Sequence, residues 1–327
     1  MPKYWGIVHV YIAKAIVVIY TKCTLKMENN KMYIDDFLEY LEKDKKNADN
    51  TILAYKRDIT AFKRFVSERD VIGLENVTNS HVVAYLLQLK NLGKSKSTVN
   101  RKLASIRAFY NFLIRTGVDL ENPTNDIKSP KIDRKEIEYL TIEEIDKLLS
   151  MPDNTVKGIR DRALLEVLYA TGIRVTEIIE IKLKDVNIRM GFVTCNGEHG
   201  RARIVPMGGL AKKALENYIL NSRDFLMKDK NCNDPELPLF VNYMGESITR
   251  QGLWKILKEY GRLAGLEDRI TPHILRNSFA VHMIQNGADL KSLQELLGHE
   301  DIAATQIYLS VTKNRIKDVY DKTHPRA

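Results

Sequence analysis

Five side chains in the C-terminal half of the chain are unusual for where they stand: Arg174, His273, Arg276, His299 and Tyr308. Arg174 sits in TGIRVTEI, at the start of an apolar helical run, with Glu177 one turn further on. The helix dipole opposes a cation there, so this arginine calls for an anion, either Glu177 or a ligand. In HILRNSFA, His273 and Arg276 are three residues apart and share one face of a helix opened by Pro272. An arginine fork binds two phosphate oxygens and an imidazole moves a proton near neutral pH, so the pair is equipped to grip a phosphate. A capping histidine beside a surface arginine is the plainer reading. His299 follows Gly298, which closes a helix, and Tyr308 comes nine residues later. Singly, these read as a turn residue and a core tyrosine. Together, two guanidinium forks, two imidazoles and a phenol can hold a phosphodiester, neutralise its developing charge and attack it covalently. No GxxxxGK[ST], HExxH or GxSxG motif competes with this set, and no cluster of metal ligands does. Neither metal nor cofactor is expected.

These residues need elements to bring them together, and 327 residues at roughly 150 per domain favour two domains. With 44% apolar and 28% charged residues, the chain suits a globular protein with a sizeable core and excludes a collagen-like or wholly disordered one. Over residues 31–118, apolar spacings of three and four predict a helical domain, with helices over Tyr33–Lys43, Thr51–Glu68, Ser80–Asn91 and Ser97–Thr116. Residues 119–138, with Pro123 and Pro130 and mixed charge, read as a linker. A capping box from Thr141 to Glu144, with Leu140 facing Ile145, opens a second domain over 139–327. A helix from Val156 to Ala170 ends at Gly172, and FVTCNG and RARIVPM predict a hairpin. Helices follow at Gln251–Ala264, His273–Gln285 and Leu290–Leu297, the last closed by Gly298. The expected fold class is mainly α, with a small β-sheet or hairpin confined to the C-terminal domain.

Fifty-one Lys and Arg against 42 Asp and Glu give a net +9, a mild pointer to a polyanionic partner. The distribution says more. Residues 76–118 hold no carboxylate but carry Lys90, Lys94, Lys96, Arg101, Lys102, Arg107 and Arg115. In the fourth helix, Val99, Leu103, Ile106, Tyr110 and Leu113 share the core face; Arg101 and Arg115 point away from it and Lys102 and Arg107 flank it. Solvated helices usually mix signs. Lys94, Lys96, Arg101, Lys102 and Arg107 are therefore the expected nucleic-acid contacts, against the plainer reading of a solvated face. Cys23, Cys195 and Cys232 form no CxxC or Cys/His pairing, which suits a reducing cytosol. The stretch from Gly6 to Tyr20 is broken by Lys14 and is too short to span a bilayer. Residues 1–30 are expected to be a poorly ordered extension, with Met27 as an alternative start, rather than a signal peptide or membrane anchor.

TGIRVTEI, HILRNSFA, LLGHEDIAATQIY and the closing DVYDKTHPRA, in this order and spacing, resemble the tyrosine recombinase (phage-integrase) family, and within it the Xer-like site-specific recombinases. The likeness runs from about residue 31 to the end. It implies a helical core-binding domain and an α+β catalytic domain closing as a clamp around double-stranded DNA. It also implies Arg174 and Arg276 as phosphate-binding arginines, His273 as general acid/base, His299 at the second His/Trp position, Tyr308 as nucleophile and Glu177 as supporting acid. A 3′-phosphotyrosyl intermediate needs no cofactor, and a tail after Tyr308 packed on a neighbouring subunit implies a tetramer on DNA, of one chain or of two related recombinases. The implied setting is cytoplasmic, in chromosome dimer resolution or mobile-element integration and excision.

One position departs from the family. A catalytic lysine belongs in the hairpin turn, and aligning Arg203–Pro206 with the strand that follows it puts Glu198 there, in NGEHGRARIVP. A carboxylate repels a phosphate and is a poor proton donor at neutral pH. His199 and Arg201 stand near enough in sequence to substitute in part, and Arg201 and Arg203 are expected DNA contacts. The rival expectation is a DNA-binding homologue with weakened catalysis.

Overall fold

A computed structural model describes residues 30–71, 73–131, 136–197, 202–228, 234–299 and 301–309. The expectations for residues 1–29, for Glu198, His199 and Arg201, and for the tail beyond 309 lie outside these residues. The chain forms two compact units that divide at about residue 134.

The N-terminal unit is helical: α1 (30–43), α2 (Asp49–Ser67), α3 (Asn79–Asn91) and α4 (Lys96–Arg115). Its core is aromatic and aliphatic, with Phe37, Phe62, Leu103, Ile106, Phe109 and Tyr110 all buried. Ser95 caps α4 by accepting the Thr98 N–H at 3.2 Å, and Val99, Leu103, Ile106, Tyr110 and Leu113 face inward as their spacing predicts.

The basic stripe is not a set of idle cations. Asp58 of α2 is buried, and its carboxylate accepts from Arg101, from Lys102 Nζ at 2.9 Å and from Ser105 Oγ at 3.0 Å. A buried carboxylate needs such donors, so Arg101 and Lys102 also tie α4 to α2, Lys102 from a largely covered position and Arg101 with 49% of its side chain still exposed. Arg107 donates to the Ile127 carbonyl at 2.8 Å. The linker is also less loose than its prolines imply. Asn79 Nδ2 donates to the Asn125 carbonyl at 2.9 Å and Asn100 Nδ2 to the Pro130 carbonyl at 2.8 Å, so residues up to 130 are fastened to this unit. Lys94 and Lys96 remain exposed at the N-terminal end of α4.

The C-terminal unit opens with α5 (Ile142–Ser150). Its capping box forms as predicted, Thr141 N–H to Glu144 at 2.8 Å and Glu144 N–H to Thr141 Oγ1 at 3.2 Å. α6 (Val156–Thr171), α7 (Val175–Glu180), α10 (Arg250–Ala264), α11 (Pro272–Gln285), α12 (Leu290–Leu297) and the short α13 (Ala303–Gln306) pack beside an antiparallel sheet of order β1-β2-β3. β1 is Val186–Asn187, β2 Phe192–Asn196 and β3 Ala202–Pro206, with Cys195 opposite Arg203. Two elements run beyond the expectations: β1, and α8 (Gly209–Tyr218), which continues through a π-helical stretch, Ile219–Arg223, into α9 (Asp224–Met227). Gly208 is the N-cap of α8 and Gly209 its first residue. No described helix is long and apolar enough to cross a membrane.

Candidate active site

The C-terminus of α12 is where the site is built. A helix leaves its last carbonyls without intrahelical partners and bears partial negative charge there. Three successive carbonyls are taken by three arginines from three other elements. Arg203 of β3 donates through Nε to Leu296 O at 2.7 Å, Arg276 of α11 through Nη2 to Leu297 O at 2.6 Å, and Arg174 at the start of α7 through Nη2 to Gly298 O at 2.9 Å. Gly298 has φ +63°, and a Cβ there would lie 2.9 Å from the Arg203 guanidinium. Glycine is needed for the left-handed turn and for the close approach.

Each arginine is fixed differently. Arg276 is buried, and its Nη1 donates to Gly172 O at 2.6 Å. Burial, reinforced by the like charge of Arg174, pulls its pKa down to about 10, so it stays cationic at neutral pH under repulsion from its neighbour. Arg174 is the most accessible, with 31% of its side chain exposed. Its backbone N–H donates to Glu177 Oε2 at 2.6 Å, but its guanidinium meets Glu177 only at 3.4 Å. Arg203 has taken that carboxylate instead, Nη1 to Oε1 at 2.5 Å and Nη2 to Oε2 at 2.9 Å. All three nitrogens of Arg203 have partners within the protein. Burial opposes the ionised form of Glu177, but these donors and charges outweigh it and hold its pKa below the usual carboxylate range.

His299 lies next along the chain. Arg276 Nη2 stands 3.1 Å from its Nε2 and Thr305 Oγ1 lies 2.8 Å from its Nδ1. An arginine only donates, so Nε2 accepts and the proton sits on Nδ1, toward Thr305. Burial and the charges of Arg276, Arg174 and Arg203 push the imidazole pKa down to about 4, so it is neutral at rest.

Tyr308 packs with Phe279, Ala280, Val281, Leu293 and Leu297 and is 2% exposed. Its hydroxyl donates to Asn277 Oδ1 at 3.1 Å, and Asn277 Nδ2 donates to Glu138 O at 3.1 Å. Burial raises the phenol pKa, and the Arg276 charge acts against it. His273 is exposed on the first turn of α11, one turn before Arg276, with no side-chain partner among the described residues.

Arg174, Glu177, Arg276 and His299 thus meet around the end of α12, Tyr308 bonds Asn277, the neighbour of Arg276, and His273 stands exposed one turn before Arg276. Asn277 and Thr305 escaped the sequence reading, because an amide and a hydroxyl in an apolar helix give no periodic signal. No group of three or more His, Cys, Asp or Glu that could hold a metal occurs among the described residues.

Cationic forks close to a buried phenol suit phosphoryl transfer to tyrosine, and comparison with known proteins gives the class: this is a DNA-strand-transferring enzyme of the tyrosine recombinase type. The chain belongs to the phage integrase family, whose family model matches residues 138–315, while that of the phage integrase N-terminal SAM-like domain matches residues 34–117. More particularly, it is similar to tyrosine recombinase XerD of Oceanobacillus iheyensis, 45% identical over 295 residues that cover 90% of this chain and 98% of the relative. XerD of Listeria innocua is 43% identical over 296 residues, 90% and 99% of the two chains. Among solved structures, XerA recombinase is 26% identical with a TM-score of 0.51, covering 90% of this chain and all of that one. XerH bound to its difH substrate before cleavage is 20% identical with a TM-score of 0.68 over 90% of this chain and 96% of that one, a likeness of fold.

Proposed function

We propose that this protein cuts and rejoins duplex DNA at specific sites, with Tyr308 as nucleophile, Arg174 and Arg276 as the phosphate clamp, His299 as a further donor, His273 as the proton-handling group and Glu177 as support. The observation that carries this reading is that the Arg276 and Arg174 guanidinium groups are held on successive carbonyls, Leu297 O at 2.6 Å and Gly298 O at 2.9 Å, where their like charges repel, and that among the described residues Arg174 meets a carboxylate only at 3.4 Å, on Glu177. A phosphodiester seated there relieves that repulsion. It also draws Arg276 toward the anion and lifts the depressed pKa of His299, so Nε2 can take a proton and donate to a phosphate oxygen.

The reaction consists of two transesterifications. The Tyr308 oxygen bonds to phosphorus as the P–O5′ bond breaks, giving a 3′-phosphotyrosyl link and a 5′-hydroxyl that leaves with a proton. A 5′-hydroxyl from a partner strand then displaces the tyrosine. The phosphodiester energy is kept in the covalent link, so no nucleotide triphosphate is consumed. The transition state carries close to two negative charges, and loss of one donor in such a site lowers the rate on the order of 100–1,000-fold. The Tyr308 hydroxyl must first leave Asn277, and His273 is the exposed base on the same helix that can receive its proton.

The partners that fit are double-stranded DNA and further recombinase subunits, as a tetramer of this chain or with a related recombinase, in the cytoplasm. The task is resolution of chromosome dimers or movement of a mobile element, and mapping bound sites to a replication terminus or to element ends separates the two. A DNA substrate nicked beside the cleavage point tests the chemistry. An SDS-resistant adduct that disappears in Tyr308→Phe is expected, and binding without any adduct overturns the reading. Glu198 favours a second reading, a DNA-binding homologue with weakened cleavage. Glu198→Lys distinguishes them: a rise in cleavage at unchanged binding indicates that the carboxylate was limiting.

A further inference from the structure

We infer that Arg203 is a positioning residue for strand cleavage: by occupying both oxygens of Glu177, it keeps that carboxylate from capturing Arg174 and so leaves the Arg174 fork for the phosphate. The inference rests on the assignment of Arg174 to the clamp, and it concerns a residue whose three side-chain nitrogens all have partners within the protein.

The local contest is plain. Glu177 lies three residues after Arg174, a spacing at which an arginine and a carboxylate pair along a helix, and its side chain is only 4% exposed. A carboxylate that deep takes whatever donors it can reach. Left alone with Arg174, it would draw in that guanidinium as a fork-on-fork pair. Instead the Arg174 side-chain contact is long, 3.4 Å, and the paired geometry belongs to Arg203, at 2.5 and 2.9 Å. Arg203 is itself held in place, because Nε is spent on Leu296 O at 2.7 Å and Gly298 closes over the guanidinium. Its side chain is 12% exposed against 31% for Arg174, so of the two cations flanking Glu177 it is the inner one that is neutralised and the outer one that keeps open donors. Arg203 also stands on β3, opposite Cys195 of β2. The hairpin strand is thereby locked to α7 and to the end of α12, and its placement bears on the clamp.

The test is epistasis on the full-length protein with the nicked DNA substrate. Arg203→Met is expected to slow adduct formation at saturating DNA at least ~10-fold, with the apparent Kd for DNA and its salt dependence unchanged. Adding Glu177→Gln, which still accepts the Arg174 N–H but no longer attracts the guanidinium, is expected to recover a substantial part of that loss. Arg203→Lys, which keeps the charge without the fork, should fall between wild type and Arg203→Met. It also serves as the informative variant if Arg203→Met folds poorly by circular dichroism. A salt slope reduced by about one identifies Arg203 as a phosphate contact and overturns the inference. So does a double variant as slow as or slower than Arg203→Met, which is the signature of a purely structural brace. If the adduct persists in Tyr308→Phe, it is the assignment of the nucleophile that fails, a result separate from either outcome at Arg203.

Discussion

The Tyr308 hydroxyl is bound to Asn277 Oδ1 at 3.1 Å, and Asn277 can offer only that oxygen because its Nδ2 is committed to the Glu138 carbonyl at 3.1 Å. The asparagine, next in the chain to Arg276, accepts the phenol proton and so favours the protonated, inward-held form. Removing the acceptor leaves a buried hydroxyl unsatisfied, an effect of about 1–3 kcal/mol. Asn277→Ala is therefore expected to raise amide exchange over residues 305–308 by roughly 5- to 150-fold, read by hydrogen–deuterium exchange. Unchanged protection there means the amide does not hold the segment.

The Asp58 cluster gives a prediction opposite to the one drawn from charge alone. Lys102 donates to a buried carboxylate shared with Arg101 and Ser105. Lys102→Ala should lower the stability of the N-terminal unit by about 1–3 kcal/mol in urea unfolding and leave the salt slope of DNA binding where it was. Were Lys102 a phosphate contact, the slope would drop by about one.

Gly172 carries φ +58°, and a Cβ there would lie 2.3 Å from Phe279 Cδ1. A left-handed conformation disfavours any L side chain by roughly 1–2 kcal/mol, and overpacking adds about 1–3 kcal/mol. Gly172→Ala should lower the melting temperature of the C-terminal unit by roughly 4–20 °C, at 2–4 °C per kcal/mol for a unit of this size. Cleavage should fall with it, because Gly172 O also accepts from Arg276.

His299 supplies a pH dependence of definite sign. Its folded pKa is about 4 against the usual 6.5, so between those values the unfolded chain binds the proton and the folded chain does not. Its share of stability is whole above about pH 6.5 and drains away as the pH falls toward 4. The loss of melting temperature between pH 7 and 4.5 should be smaller in His299→Gln. An NMR titration of the ring should show the pKa climbing when DNA is bound, since the phosphate offsets the arginine charges.

The amphipathic helices of the N-terminal unit were legible because each buries one face, and periodicity then marks the core: Val99, Leu103, Ile106, Tyr110 and Leu113 of α4 are all inside. α11 was legible by other means. It is buried almost continuously from Ile274 to His282, so periodicity says little, but Pro272 and the Thr271 cap mark where it starts. α8 was missed because it starts on glycine, a poor helix former that hides its beginning, and β1 because two residues make no pattern.

The chain order alone determined the inventory: two arginines, two histidines, a supporting acid and a tyrosine at spacings that implied phosphate chemistry and a family. It could not determine which cations look inward. Lys102 and Arg203 carry the same charge as Arg174, and a linear string contains no record of a buried Asp58 or Glu177 waiting across the fold to claim them. Only tertiary packing sets that pairing, because a carboxylate removed from water must find its donors among whatever the folded chain brings within about 3 Å. The same packing seats three arginines on successive carbonyls of one helix end and leaves Arg174 the most open of them.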